Sequence, residues 1–332
     1  MSDVSIVIPT RSRFDLLDAC LTSLSEARNE LGESSKLIVV NDGNHEGPAA
    51  IVAAHDPQAR VIDLPESHGF SGAVSDGIDA AEGDWILVLN DDTTLEPQSI
   101  SELLRVARGR PRLGSVTPQL LFADDVNTIN SAGLLIDDLG IAQDRLLGAP
   151  VTDSEREVTE VFGSSAAAAL YSREMLEEIG GFDRSFFAHL EDADVAWRGR
   201  MRGWSCLFVP TAVVRHHHSA TLEHFSDRKY YLGGRNRVRL VAKNADAALL
   251  RRRGIFMIAY DLAYVVFVAL TERTLAPLRG RIAGLRQWRA YRRAGEPGRR
   301  PVELPHATSL RGALRRNRVW AQKTAARNLR SL

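Results

Sequence analysis

Cysteine is scarce in this sequence: Cys20 and Cys206 are the only two in 332 residues, too few for a disulfide framework and without the spacing of a cysteine metal cluster. Both read as core residues, and a reducing cytosol is the compartment that suits them. A secretory pattern is also missing, because the chain opens on Val4-Ser5-Ile6-Val7-Ile8, a strand, where a signal would be basic and then apolar. The front of the chain is therefore expected to stay inside the cell. The apolar stretch Ile255–Leu270 is shorter than the ~20 residues a spanning helix needs and carries Asp261 in its middle. Net charge is zero, yet the balance is uneven. Residues 228–332 hold 25 Lys/Arg against 5 Asp/Glu, and residues 1–227 hold 17 against 37, so an acidic front of −20 precedes a cationic tail of +20. Such asymmetry points to an anionic surface as partner.

Over the first 120 residues short apolar runs alternate with helix-period segments, which predicts βαβ units around a mostly parallel sheet with helices on both faces. Strands are expected at Ser5–Ile8, Leu37–Val40, Val61–Leu64 and Trp85–Leu89, and helices near Phe14–Ala27, Pro48–Ala54, Ser71–Ala81 and Glu96–Arg108. From Leu120 to Val161 the pattern loosens into an irregular or antiparallel insertion. Helices resume at Ser172–Ile179 and Asp192–Arg202, and a strand at Cys206–Arg215 runs into His216-His217-His218. The expected division is an α/β domain at 1–227, with one half to about 120 and a second beyond it, then a basic helical extension at 228–332.

Two acidic clusters give this plan a chemistry. Asn90-Asp91-Asp92 closes the strand Trp85–Leu89, where the crevice of an α/β sheet opens, and hard oxygen ligands there suit a divalent cation carrying phosphates. A helix cap would need one acid and not two. Glu191-Asp192-Ala193-Asp194 follows Gly180-Gly181-Phe182-Asp183 and is placed to supply a base. Its position at a helix N-terminus also favours acids through the macrodipole, and Asp194 and Arg198 are spaced as an i,i+4 ion pair. Asn41-Asp42-Gly43 and Pro9-Thr10-Arg11 end the first strands, although Asp-Gly is also an ordinary turn pair.

Val7-Ile8-Pro9-Thr10, Val39-Val40-Asn41-Asp42-Gly43, Gly69-Phe70-Ser71-Gly72-Ala73, Leu89-Asn90-Asp91-Asp92-Thr93, Gly180-Gly181-Phe182-Asp183, Glu191-Asp192-Ala193-Asp194 and Gly203-Trp204 form an ordered set. That set resembles the family-two inverting glycosyltransferases of the GT-A (Rossmann-like) fold, particularly bacterial rhamnosyltransferase-like members. The resemblance implies transfer of a sugar from a nucleoside diphosphate, dTDP-rhamnose or a UDP-sugar, to a glycan or lipid-linked glycan in cell-surface polysaccharide synthesis. It implies Mn²⁺ or Mg²⁺ at Asp92, with Asn90 beside it and His216 or His218 completing the site. Catalysis falls to Asp192, with Glu191 as the near alternative. Donor binding is implied for Pro9, Thr10, Arg11, Asp42, Gly43, Gly69, Gly72 and Asp91. Ser67 and Ser75 stand where asparagines are commoner in the family. Gly163 and Ser164 are implied to lie under the acceptor, and Trp197 and Trp204 are candidates to stack on a sugar, though aromatics at helix ends are commonly core.

Residues 251–300, rich in arginine around the apolar stretch, read as a helix resting on anionic headgroups at the inner face of the cell membrane; the competing reading is a helix buried in the protein or in a homo-oligomer. Two other functions compete. A sugar-phosphate nucleotidyltransferase shares the sheet and metal but would need a glycine-rich loop with Arg and Lys at the first strand end. A nucleic-acid-binding protein would need aromatics interleaved with the basic residues, and 273–332 has few.

Overall fold

The computed structural model describes residues 4–217, 226–295 and 300–307. The first half alternates as its spacing predicts: β1 (Val4–Thr10), α1 (Phe14–Leu31), β2 (Ser35–Asp42), α2 (Pro48–His55), β3 (Arg60–Leu64), α3 (Gly69–Asp79), β4 (Trp85–Leu89), β5 (Thr93–Leu95) and α4 (Ser99–Ala107). Side chains of β1 alternate between the sheet's two faces. Ile6 and Ile8 join Leu17 and Leu21 of α1 in one core, and Val7 joins Val74 of α3 in the other. A sheet buried on both faces explains why these strands read as continuous apolar runs.

Next come β6 (Leu113–Phe122), β7 (Asp125–Ser131), β8 (Leu134–Ile136), β9 (Ala142–Asp144), β10 (Thr159–Val161), β11 (Ala168–Ser172), α5 (Arg173–Ile179), α6 (Glu191–Met201) and β12 (Ser205–His216). The main sheet has the order β10-β12-β6-β11-β4-β1-β2-β3, with β5 added to β12 and β7 to β6. Strands β3, β2, β1 and β4 pair in parallel. Beyond β4 the sheet is mixed, because β11 runs antiparallel to both β4 and β6, while β6 and β12 are parallel. The insertion is antiparallel: β7 folds back on β6, and β8 with β9 forms a separate small sheet. Sequence patterning missed β6 because Gly114, Ser115, Thr117, Pro118 and Gln119 interrupt its apolar run, yet all of it is buried between β11 and β12.

The chain closes with α7 (Asp227–Asn244), α8 (Ala247–Thr271), α9 (Ala276–Arg286) and α10 (Trp288–Ala294). Leu240 and Val241 of α7 and Met257 and Tyr260 of α8 share a core with Ala193 and Trp197 of α6. The helix carrying the second acidic cluster is thus backed by residues beyond 227. At 25 residues α8 outruns the expected stretch and is long and apolar enough to cross a membrane, by length and composition.

Candidate active site

Parallel pairing of β1 with β4 puts their C-terminal ends side by side, so Thr10 Oγ donates to Asp91 Oδ2 at 2.7 Å. Burial and the neighbouring Asp92 push the Asp91 carboxyl up to about 7, against that hydrogen bond. At the end of β12, His216 meets the same acidic turn: its Nε2 lies 3.2 Å from Asp92 Oδ1 and 3.4 Å from Asn90 Nδ2. On the other ring edge Nδ1 lies 2.9 Å from Asn130 Oδ1. An amide oxygen only accepts, so Nδ1 carries the hydrogen and Nε2 faces the carboxylate. Asn90 Oδ1 is also buried with no hydrogen-bond partner among the described residues. The pair Asp92 and His216, with this spare oxygen beside it, would suit a divalent ion by the chemistry of its donors. Among the described residues no group of three or more His, Cys, Asp or Glu side chains surrounds one point, so the protein alone offers an open site.

Across the same cavity of about 260 Å³ stand Glu191 and Asp192 at the start of α6. Asp192 Oδ1 accepts from the Ala193 N–H at 2.7 Å, and Oδ2 from the Ala166 N–H at 3.4 Å. Burial raises both carboxyls; the charge of Asp144 adds to the effect at Asp192, and that of Asp192 at Glu191. Glu191 Oε2 is buried with no hydrogen-bond partner among the described residues. Asp194 turns away from the cavity: Arg198 at 2.7 Å, Lys243 at 2.9 Å and Asn244 at 2.9 Å surround it. Burial alone would raise this carboxyl, but Arg198 and Lys243 bring it below the ordinary carboxylate range. The i,i+4 pair expected from sequence is present and structural.

The cavity gathers most of the residues singled out by sequence. Pro9, Thr10, Arg11, Asp42, Gly69, Asn90, Asp91, Asp92 and His216 all line it. Asp42 is already engaged, accepting from Ser67 Oγ at 2.7 Å and the His68 N–H at 2.6 Å, which fixes the turn into α3. Gly69 has φ +70°, and a Cβ there would stand 2.5 Å from the Phe187 carbonyl oxygen.

Other expected residues lie off the cavity. Gly43 sits in the turn after β2, and Gly72 packs inside α3 against His68. Gly163 lets the chain just after β10 approach α6, since a Cβ would lie 2.2 Å from that of Ala196, and Ser164 Oγ contacts Cys206 Sγ at 3.2 Å. Trp197 is buried in the α6–α8 core, and the Trp204 indole N–H donates to Glu178 at 2.9 Å under the Arg112 guanidinium. Neither tryptophan offers a free face to a sugar, because each ring is consumed in packing. His218 lies outside the described residues. Lining residues that carry no motif include Asn130 on β7, Asp144 on β9, and Phe187 and His189 in the segment before α6. His189 Nε2 is buried with no hydrogen-bond partner among the described residues, and burial lowers the ring's basicity to about 4.

The model of the family described as "Glycosyl transferase family 2" matches residues 5–180, ending before Glu191. An N-acetylglucosaminyl-diphospho-decaprenol L-rhamnosyltransferase of Mycobacterium tuberculosis is 29% identical over 243 residues, 65% of this chain and 77% of that protein. An O-antigen biosynthesis protein of Myxococcus xanthus is 29% identical over 66% of this chain, which spans only 17% of it. Among solved structures, GalNAc-T7 with UDP, GalNAc and Mn²⁺ superposes with TM-score 0.58 at 15% identity, over 73% of this chain and 48% of that one. A mannosyltransferase from Pyrobaculum calidifontis with GDP-Man and Mn²⁺ gives 0.52 at 15% identity, over 86% of each chain. These structures share the GT-A fold with this chain.

Proposed function

This chain belongs to glycosyl transferase family 2, and from that premise we propose that it moves a sugar, with inversion, from a nucleoside diphosphate to a hydroxyl of a lipid-linked glycan. Relatedness to the decaprenol-linked rhamnosyltransferase favours dTDP-rhamnose as donor and cell-surface polysaccharide as product. One observation carries the reading: Asp92 with His216, and Asp192 with Glu191, border a single cavity.

Inversion needs a leaving group on one side of the sugar and a base on the other. Thr10, Arg11 and Asp42 border the nucleotide side, where backbone and guanidinium can hold the base and ribose. Asp92 and His216 would hold Mn²⁺ or Mg²⁺, which supplies Lewis-acid neutralisation of the departing diphosphate. Asp192 takes the proton of the attacking hydroxyl. Its raised proton affinity suits that task, because a base is most effective when its pKa lies near the working pH. Glu191, more deeply buried, holds its proton more tightly and takes second place.

Membrane association belongs to the same reading. Ile255, Ile258, Leu262, Val266 and Leu270 form an exposed apolar ridge along α8, while Asp261 turns inward to Arg281 at 2.8 Å. With its one acid withdrawn and Arg251, Arg252 and Arg273 exposed at its ends, α8 suits the anionic inner face of a cell membrane, where a lipid-linked acceptor is found.

Calorimetric titration with dTDP and Mn²⁺, joined to an assay of dTDP release from dTDP-rhamnose, tests the division of labour. Asp192→Asn is expected to bind dTDP within about threefold of wild type and to lose roughly 100-fold or more in release. Asp92→Ala is expected to weaken binding about tenfold or more. Equal binding by Asp92→Ala, or undiminished release by Asp192→Asn, would sink the assignment.

A further inference from the structure

The segment that delivers Asp192 to the cavity is strained, and it is held from outside. Phe187, His189 and Leu190, none of them glycine, take left-handed φ values of 66°, 72° and 66°. Such conformations cost energy at each residue and persist only where the surroundings impose them. The surroundings here are specific. Asn236 of α7, fully buried, points its Nδ2 at the carbonyl oxygens of Phe186, Ala188 and His189, at 2.9, 2.8 and 2.7 Å. Its Oδ1 accepts from Arg235 Nε at 3.0 Å, so the orientation of the amide is fixed on both sides. From the opposite direction the Ser71 N–H, in the first turn of α3, donates to the Phe187 carbonyl at 3.0 Å. Arg235 adds a second donor to Phe186 at 2.7 Å. Every carbonyl from 186 to 189 is thereby taken by a group outside the segment. Phe187, Ala188 and His189 line the cavity, and Glu191-Asp192 follow at once.

We propose that Asn236 is a positioning residue for the reaction: it clamps 186–190 in the left-handed path that sets where Asp192 and His189 stand against the bound sugar. Among the described residues no other side chain bonds three of these carbonyls, and a change of one dihedral in so short a segment swings the following helix start. The site therefore reaches beyond residue 227 into the segment that sequence alone assigned to a basic tail. The inference rests on the reading of Asp192 as base, and its test separates the two.

Hydrogen exchange, nucleotide affinity and turnover are measured on the full chain for wild type, Asn236→Ala and the milder Asn236→Ser, which keeps one donor. Amides of 186–190 are expected to exchange at least about tenfold faster in Asn236→Ala. Release of dTDP from dTDP-rhamnose with Mn²⁺ should fall roughly 100-fold, the scale of an ångström's misplacement, while Kd for dTDP with Mn²⁺ stays within about threefold. Asn236→Ser should fall between, and it decides the matter should the alanine variant fail to fold. The proposal is overturned if exchange at 186–190 is unchanged, if turnover stays within about threefold of wild type, or if nucleotide affinity and turnover fall by one common factor, the mark of a general scaffold. Asp192→Asn in parallel guards the premise: retained release there removes the base assignment, while the exchange result still judges the clamp.

Discussion

Asp144 adds its charge to burial in raising the Asp192 carboxyl, although nothing in its sequence context marks it. A nearby negative charge disfavours the anion, so Asp192 must shed its proton at higher pH than an ordinary carboxyl. As a base it works only when deprotonated, and turnover is expected to rise with pH through that raised value. Asp144→Asn removes the charge, lowers the Asp192 value and should move the acid limb of the pH–kcat profile to lower pH. A pH series of dTDP release on both proteins checks the sign; an unmoved limb, or one moved upward, would mean that Asp192 is not the titrating base. Individual residues were legible where chemistry is local. Asp92, Asp192 and His216 sit at strand or helix ends, and a strand end in an α/β sheet faces the crevice. Asn130, Asp144 and His189 were not legible, because a hairpin and an irregular loop bring them in from regions without periodicity. The tryptophans misled for another reason: large aromatics next to a motif serve packing as readily as stacking, and only burial tells them apart.

Among elements, α8 has the most unusual balance of faces. Met257, Tyr260, Val265 and Val268 turn into the protein, and Ile258 is 63% and Leu262 59% exposed on the opposite side. Sequence placed Asp261 as an obstacle to lipid; the fold removes it by pairing it with Arg281 of α9. Burying an aliphatic side chain this size contributes about 1.5–3 kcal/mol. Ile258→Glu with Leu262→Glu should therefore cut binding to vesicles of phosphatidylcholine and phosphatidylglycerol at least about tenfold, with the melting temperature little changed because both side chains already face water. Flotation of the two proteins decides it. A wild type that ignores these vesicles would end the membrane reading, and concentration-dependent dimerisation abolished by the same pair would assign the ridge to a second copy. Helix α6 shows the converse limit: its acidic start was legible, but not that Lys243 and Asn244 of α7 cross over to satisfy Asp194.

For the whole molecule, the parallel half was readable because each strand there is short, apolar and bounded by turn residues, and β1 to β4 fall within a few residues of expectation. The mixed half was not, since β6 hides five interrupting residues in a fully buried strand and β11 is five residues that open on two alanines. Long-range pairing, and not local propensity, makes those segments strands. The charge division that looked like a catalytic domain and a tail has a finer structure: α7 shares a core with α6 and α8, so the basic segment helps build the site it follows.

The central claim is that cation, diphosphate and base meet in one cavity. Crystals grown with dTDP and Mn²⁺, measured at the manganese absorption edge, test it most directly. The account predicts one anomalous peak bonded to Asp92 and His216, with the diphosphate between that peak and Asp192. A peak on other ligands, or a diphosphate lying away from the Asp92–Asp192 cavity, would contradict it.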